Sequence, residues 1–212
     1  MSFVDQLRSF ISHFSSVFAL QYIGPINYFL RIEVQQCSTY LHISQQKYIH
    51  NLLTRTTMIE GKATLTPSAL GKPLSFSDGE PLPDPSLYWS IVGALQYVTI
   101  TRPDISFAVN NACQFMAHST STHWLSIKRI LRYLEGASTH SLLLHSSSSL
   151  ALQGYTYANW ASCSDERKNT CGSCLFLIPN LISWSSSKQE IVSWSNAKSK
   201  YRSLASLTTE IV

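Results

Sequence analysis

The period of the apolar residues switches repeatedly along this chain, from helical to alternating and back, and that order confines it to a mixed fold. Val4, Leu7, Ile11, Phe14 and Phe18 recur at helical spacing and predict an amphipathic helix that stops before Gly24-Pro25, a breaker pair. Alternation then takes over, with Tyr28, Leu30, Ile32 and Val34 on one side and Asn27, Phe29, Arg31 and Glu33 on the other, as in a strand. The polar stretch 35–38 leads to a second alternating run, Thr39, Leu41 and Ile43. The pair reads as a hairpin, followed by a helix carrying Ile49, Leu52 and Leu53.

Residues 61–87 are rich in Pro, Gly, Ser and Thr and hold no period, which reads as a linker or a long surface loop. The segment ends in Pro83-Asp84-Pro85, where Asp84 can cap a helix and Pro85 can open it. Three helical patterns follow within 88–145: Tyr88, Ile91, Val92, Leu95 and Val98; Ile105, Ala108, Val109, Ala112 and Met116; Trp124, Ile127, Leu131 and Leu134. The serine run Ser146 to Ser149 marks another boundary. Beyond it, strands are expected near 150–157, 173–178 and 181–184, with a helix over about 196–210. The resulting class is α/β (α+β), divided into 1–60, 61–87, 88–145 and 150–212.

Composition narrows the function classes. With 44% hydrophobic and 13% charged residues the chain is expected to be globular, and sixteen basic against twelve acidic residues permit a polyanionic partner without resembling a dedicated nucleic-acid arm. No run reaches the roughly 18 apolar residues of a membrane span, so no membrane partner is expected. Five cysteines are an odd number, and with no apolar leader after Met1 they read as reduced thiols rather than a secreted scaffold. The sequence does not assign a compartment.

Several residue groups invite a chemical reading. Cys171 and Cys174 have thioredoxin-like spacing, yet they fall in an expected β meander, a context that favours coincidence over a redox pair. The seven histidines are dispersed and include no i, i+4 pair, so no metal site is expected. Lys128, Arg129 and Arg132 lie opposite the apolar stripe of their helix, and with Arg102 they are candidates for phosphate contact. An ordinary solvated face explains the three helix residues equally well. Tyr155, Trp160, Trp184 and Trp194 could stack on bases, but their strand context favours a small core.

Ordered motifs carry a more specific signal. Residues 24–34, GPINYFLRIEV, resemble the GPLNYFLGIEV segment that follows the catalytic strand pair of copia-type reverse transcriptases. Residues 90–97 (SIVGALQY), 101–109 (TRPDISFAV) and 129–134 (RILRYL) resemble the thumb-like helical region of that family. Residues 154–161 (GYTYANWA), 181–186 (LISWSS) and 201–205 (YRSLA) resemble the start of its RNase H domain. The likeness spans essentially the whole chain and is strongest to plant elements.

The resemblance implies a parent that is an RNA-directed DNA polymerase with RNase H activity. It also implies a fold made of the end of the palm with a primer-grip-like hairpin, thumb-like helices, and an incomplete RNase H-like meander with one helix. Partners implied are RNA, DNA or an RNA:DNA hybrid, together with missing parts of the Pol polyprotein, and the parent family works with Mg²⁺. Polymerisation needs an Asp-Asp hairpin, expected before residue 1, and the chain has no Asp-Asp pair. RNase H cleavage needs about four carboxylates around two metals. Where the family has Asp, this chain has Tyr157 and Asn159; where the family has the catalytic Glu, it has Lys200; the next family Asp is expected beyond Val212. The expectation is a non-catalytic fragment with no catalytic residue, no metal site and no cofactor of its own. The alternative is a residual nucleic-acid-binding module on the basic helix face. Arg31 in place of the family Gly, and Gln21-Tyr22-Ile23 in place of KDL, read as relaxed constraint.

Overall fold

The structure is a computed structural model that describes residues 3–18, 26–59, 61–71 and 73–211. Among them the chain forms six helices and two antiparallel sheets. The first helix is α1 (Phe3–Val17). Strands β1 (Tyr28–Phe29), β2 (Ile32–Gln36) and β3 (Tyr40–Ser44) follow, then α2 (Gln46–Arg55), α3 (Ser86–Val98), a 3-10 turn at Pro103–Ile105, α4 (Ser106–Cys113) and α5 (Ser121–Gly136). The chain continues through β4 (Leu142–His145), β5 (Leu152–Asn159), β6 (Thr170–Leu177), β7 (Asn180–Lys188) and α6 (Asn196–Ile211).

The main core is helical, as the spacing in the middle of the chain predicts. Ile49, Leu52 and Leu53 of α2 meet Ile91, Leu95 and Val98 of α3, Val109 of α4, and Ile127, Leu131 and Leu134 of α5. Each fully buried aliphatic side chain of this kind contributes about 1.5–3 kcal/mol, so this cluster supplies most of the driving force for folding. Asp84 accepts the backbone N–H of Ser86 at 2.8 Å, and α3 begins at Ser86, directly after Pro85.

The expected first strand is instead two. Tyr28 pairs with Glu33 and Phe29 with Ile32, which leaves Leu30-Arg31 as a two-residue hairpin loop. Both loop residues have positive φ, 48° and 63°, as a type I′ turn requires. The alternation across 27–34 misleads because apolar residues continue through the turn. Arg31, where the resemblance implies a Gly, therefore adopts a left-handed conformation that disfavours a Cβ.

A second departure lies at 142–145. The helical reading of 88–145 ends at Gly136, and β4 closes the first sheet against β3, pairing Leu142 with Ile43 and Leu144 with Leu41. Helix α1 forms where the period predicts, but Leu7, Phe10 and Phe14 on it are exposed. The Gly24-Pro25 stop and the Gln21-Tyr22-Ile23 departure lie outside the described residues.

Segment 61–87, read from sequence as a linker or surface loop, is tied to the rest of the chain at several points. Arg129 donates to the Thr66 carbonyl and hydroxyl at 3.2 and 2.8 Å, Leu82 N–H donates to the Ser119 carbonyl at 3.0 Å, and Pro81 bridges to Thr120. It also reaches the second sheet, where Asp165 accepts the Phe76 N–H at 3.0 Å and a hydrogen bond from the Ser75 hydroxyl.

The second sheet has the order β5-β6-β7, close to the three strands the sequence predicts, and α6 packs on one of its faces. An added Cβ at Gly154 would lie 2.8 Å from Leu207 of α6, Thr156 bonds the Ser203 hydroxyl, and Ala158 is buried. Alternation then turns Tyr155, Tyr157 and Asn159 to the opposite face. That face looks toward α4, and Trp184 Nε1 ties β7 to the Thr99 carbonyl at 2.9 Å. Asn180 joins the sheets by accepting the His145 N–H at 2.6 Å and donating to the His145 carbonyl at 2.9 Å.

Candidate functional site

The three positions where the resemblance implies metal-binding carboxylates, Tyr157, Asn159 and Lys200, sit at the β5 edge and on α6. Tyr157 is 64% exposed, and the Lys200 ammonium lies over its ring at 5.7 Å from the centroid. A cation over an aromatic face at an exposed site gains about 0.5–1 kcal/mol, so the two side chains form a contact of their own. Mg²⁺ takes hard oxygen ligands, preferably anionic, in near-octahedral array. A phenol, an amide and an ammonium do not fit it, because the ammonium repels a dication and no carboxylate offsets it.

Elsewhere, no group of three or more His, Cys, Asp and Glu side chains could hold a metal among the described residues. The chain's one adjacent acidic pair, Asp165-Glu166, is engaged otherwise. Asp165 holds the 75–76 segment, while Glu166 meets Lys168 at 2.6 Å and Lys188 at 3.3 Å. Hydrogen bonds from Lys168 and then Lys188 hold the Glu166 carboxyl below its ordinary range.

The four basic candidates are not brought to one face. Lys128 and Arg132 are one turn apart on α5, with Arg132 exposed and the Lys128 ammonium 5.8 Å from the Trp124 ring centroid. Arg129 is occupied by Thr66. Arg102 departs furthest from expectation. It is 1% exposed, its guanidinium donates to both Asp104 oxygens at 2.9 and 2.6 Å and to the Ala137 carbonyl at 2.7 Å, and it clamps the end of α5. Burial pushes the Asp104 carboxyl up, but hydrogen bonds from Arg102 and Tyr133 outweigh it and hold the group below its ordinary value. As a phosphate contact Arg102 is corrected to a buried structural cation, since a desolvated arginine is kept only where its donors are satisfied.

The other chemical readings also resolve geometrically. Cys171 and Cys174 are three residues apart within β6, so they point to opposite faces, and both thiols are free. Of the aromatics expected to fill a small core, Trp194 is 90% exposed and Tyr155 and Trp160 are about half exposed. Their strand context misleads because β5 is an edge strand, and Trp194 lies between β7 and α6.

One functional group in the structure has no counterpart in the sequence reading. His123 is fully buried at the start of α5, where its Nδ1 accepts the Thr120 N–H at 3.1 Å. Nε2 must then carry the proton, and it donates to the Ser75 carbonyl at 3.1 Å. The ring stacks on Phe115 with centroids 4.0 Å apart. Burial lowers its pKa, against opposing effects from the Ser75 carbonyl and the Asp78 and Asp165 charges. The available signal was Thr120-x-x-His123, the spacing of a capping box with His in the place of Glu or Gln.

The sequence has relatives among known proteins. No protein-family model matches the chain, and no solved structure does. An uncharacterized mitochondrial protein of Arabidopsis thaliana is 42% identical over 205 residues, covering 97% of this chain and 85% of that protein. The retrovirus-related Pol polyproteins from transposons RE2 and RE1 of the same plant are 40% and 42% identical over 97% of this chain, which spans 14% of their length. A retrovirus-related Pol polyprotein from a Nicotiana tabacum transposon is 34% identical over 88% of the chain. With identity sustained over 97% of its length, the chain belongs to the retrovirus-related Pol family of plant retrotransposons.

Proposed function

We propose that this chain is a non-catalytic remnant of a retrotransposon Pol polyprotein, corresponding to the C-terminal part of a reverse transcriptase followed by part of an RNase H domain. The observation that carries the reading is the Lys200–Tyr157 contact, which stands where the parent family is expected to gather metal-binding carboxylates. Purified protein incubated with an RNA:DNA hybrid and Mg²⁺ is expected to release no product. Cleavage that survives purification to homogeneity and disappears with chelator would refute the reading.

A second reading, a residual nucleic-acid-binding module, is favoured by Lys128 and Arg132 standing one turn apart on α5 with Arg132 exposed. It concerns these two cations only, because Arg129 and Arg102 are engaged within the chain. Two phosphate contacts predict a dependence of log affinity on log salt with a slope of about −2 on duplex DNA. The double variant Lys128→Glu/Arg132→Glu is expected to abolish binding to a hybrid in a filter assay at low salt, and equal binding by both proteins would discard this reading.

A further inference from the structure

Between α4 and the face of the second sheet opposite α6 lies a cavity of about 510 Å³. Its floor consists of two cross-strand rows, Tyr155-Cys174-Trp184 and Tyr157-Gly172-Ser186, and Phe107, half exposed, stands at the helical side. A smaller cavity of about 200 Å³ continues from it, shares Ser106, Trp184 and Ser186, and reaches Asn110. The combined space matches the clefts that take small ligands, roughly 300–1,000 Å³.

Three polar atoms give this cleft its chemistry. Ser106 Oγ, Asn110 Oδ1 and Ser186 Oγ are all buried, and none has a hydrogen-bond partner. Roughly nine in ten buried polar groups are paired, so three orphans on residues that line one continuous space are an unusual concentration. Two are hydroxyls that can donate or accept, and one is an amide oxygen that accepts. No Lys, Arg, Asp or Glu lines either cavity among the described residues. Burial pushes the Cys174 thiol up, which keeps the floor uncharged. Lys200, which rests on the Tyr157 ring, does not line the cleft, so an anion such as a phosphate finds no counter-charge on its walls. A purely aliphatic molecule would leave the orphans as they stand, whereas a ligand that pairs one recovers about 1–3 kcal/mol for that buried group.

We propose that the cleft between α4 and the β5-β6-β7 sheet binds a neutral, flat heteroaromatic molecule of about two fused rings. Its faces lie against Tyr155, Tyr157 and Phe107, and an edge bearing both donor and acceptor meets Ser106, Asn110 and Ser186. This is independent of whether the chain retains nucleic-acid binding.

The full chain is to be titrated with quinazolin-4-one, which carries a cyclic amide edge, and with naphthalene, which has the same shape without it; amide ¹H–¹⁵N signals provide the readout. Quinazolin-4-one is expected to shift signals at residues 106–110, 172–174 and 184–186 below about 1 mM, and naphthalene to bind about tenfold more weakly, roughly 1.4 kcal/mol. Gly172→Val fills the floor, and its Cβ would meet nothing nearer than the Ser185 carbonyl oxygen at 3.9 Å. That variant should keep its Tm and lose quinazolin-4-one affinity at least about tenfold. If it fails to fold, Ser106→Ala/Ser186→Ala supplies the test, weakening quinazolin-4-one while leaving naphthalene unchanged. No shifts at about 1 mM, shifts outside the cleft, naphthalene binding as tightly, or cleft signals that depend on protein concentration alone would each overturn the proposal.

Discussion

Arg31 occupies a backbone position that resists its side chain. Left-handed φ costs a non-glycine residue about 1–2 kcal/mol, and the cation–π contact from Arg31 to the Tyr48 ring, at 5.3 Å, returns about 0.5–1 kcal/mol. Glycine also carries an unfolded-state entropy penalty of about 0.4–1 kcal/mol. The two opposing effects together match the strain, so Arg31→Gly is expected to change stability by no more than about 1 kcal/mol in urea denaturation, and a loss well beyond that would show that the turn is not type I′. His123 makes a pH-dependent contribution. Its folded pKa is lowered while its unfolded value is about 6.5, so the unfolded chain binds the extra proton first. The contribution is complete above about pH 6.5 and is lost as pH falls toward the folded pKa, because protonated Nδ1 would confront the Thr120 N–H. His123→Gln can retain the capping-box geometry without titrating, and its stability between about pH 5 and 6.5 should be flatter than that of the parent. His123→Ala should lose about 1 kcal/mol at pH 7 by thermal melting.

Elements were legible where one period ran uninterrupted and opaque where two signals overlapped. Helices α2, α3 and α5 announce themselves because their buried residues fall three and four apart, and β5, β6 and β7 emerge within a few residues of their expected places. Strand β4 was hidden because Leu142-Leu143-Leu144 does not alternate, and the run becomes a strand only through its partner β3. The β1–β2 turn was hidden by apolar residues on both sides of it. At the candidate site, Tyr157 and Lys200 were named from separate motifs, and the structure brings them together; Arg102 was misjudged because burial and the Asp104 partnership are tertiary facts. The ties of the loop over 61–87 were the least legible, since they run to residues distant in sequence. Asp165, through Ser75 and the Phe76 N–H, and Ser164, through the Leu74 carbonyl, tie it to the connection between β5 and β6. Asp165→Ala is expected to lower stability by about 1 kcal/mol and to speed exchange of the Phe76 amide; a Phe76 amide as protected as in the parent would count against that tie.

At the scale of the whole molecule the apolar burial is uneven. The helical cluster of α2, α3, α4 and α5 holds most of the buried apolar residues, whereas the β5-β6-β7 sheet with α6 contributes Ala158, Leu175 and Leu207. Thr156–Ser203, Ser183–Glu210 and Arg202–Ser193 contacts hold α6 in place, and such bonds contribute only about 0.5–1.5 kcal/mol when neutral and up to about 3 kcal/mol with a charged partner. Strand β5 is an edge strand, which leaves backbone groups of Leu152–Asn159 facing outward. The two halves are therefore expected to open separately, since local opening energies follow local apolar burial. In native-state hydrogen exchange the amides of α3 and α5 should approach the global unfolding energy, while those of β5 and α6 exchange at least about tenfold faster at neutral pH. Leu207→Ala, which removes the anchor that fills the space over Gly154, should widen that gap without changing the rates in α3. Equal protection across both halves, or a Leu207→Ala variant that accelerates α3 as much as β5, would mean that the α4–β7 contact and the Asn180 link bind the halves into one cooperative unit.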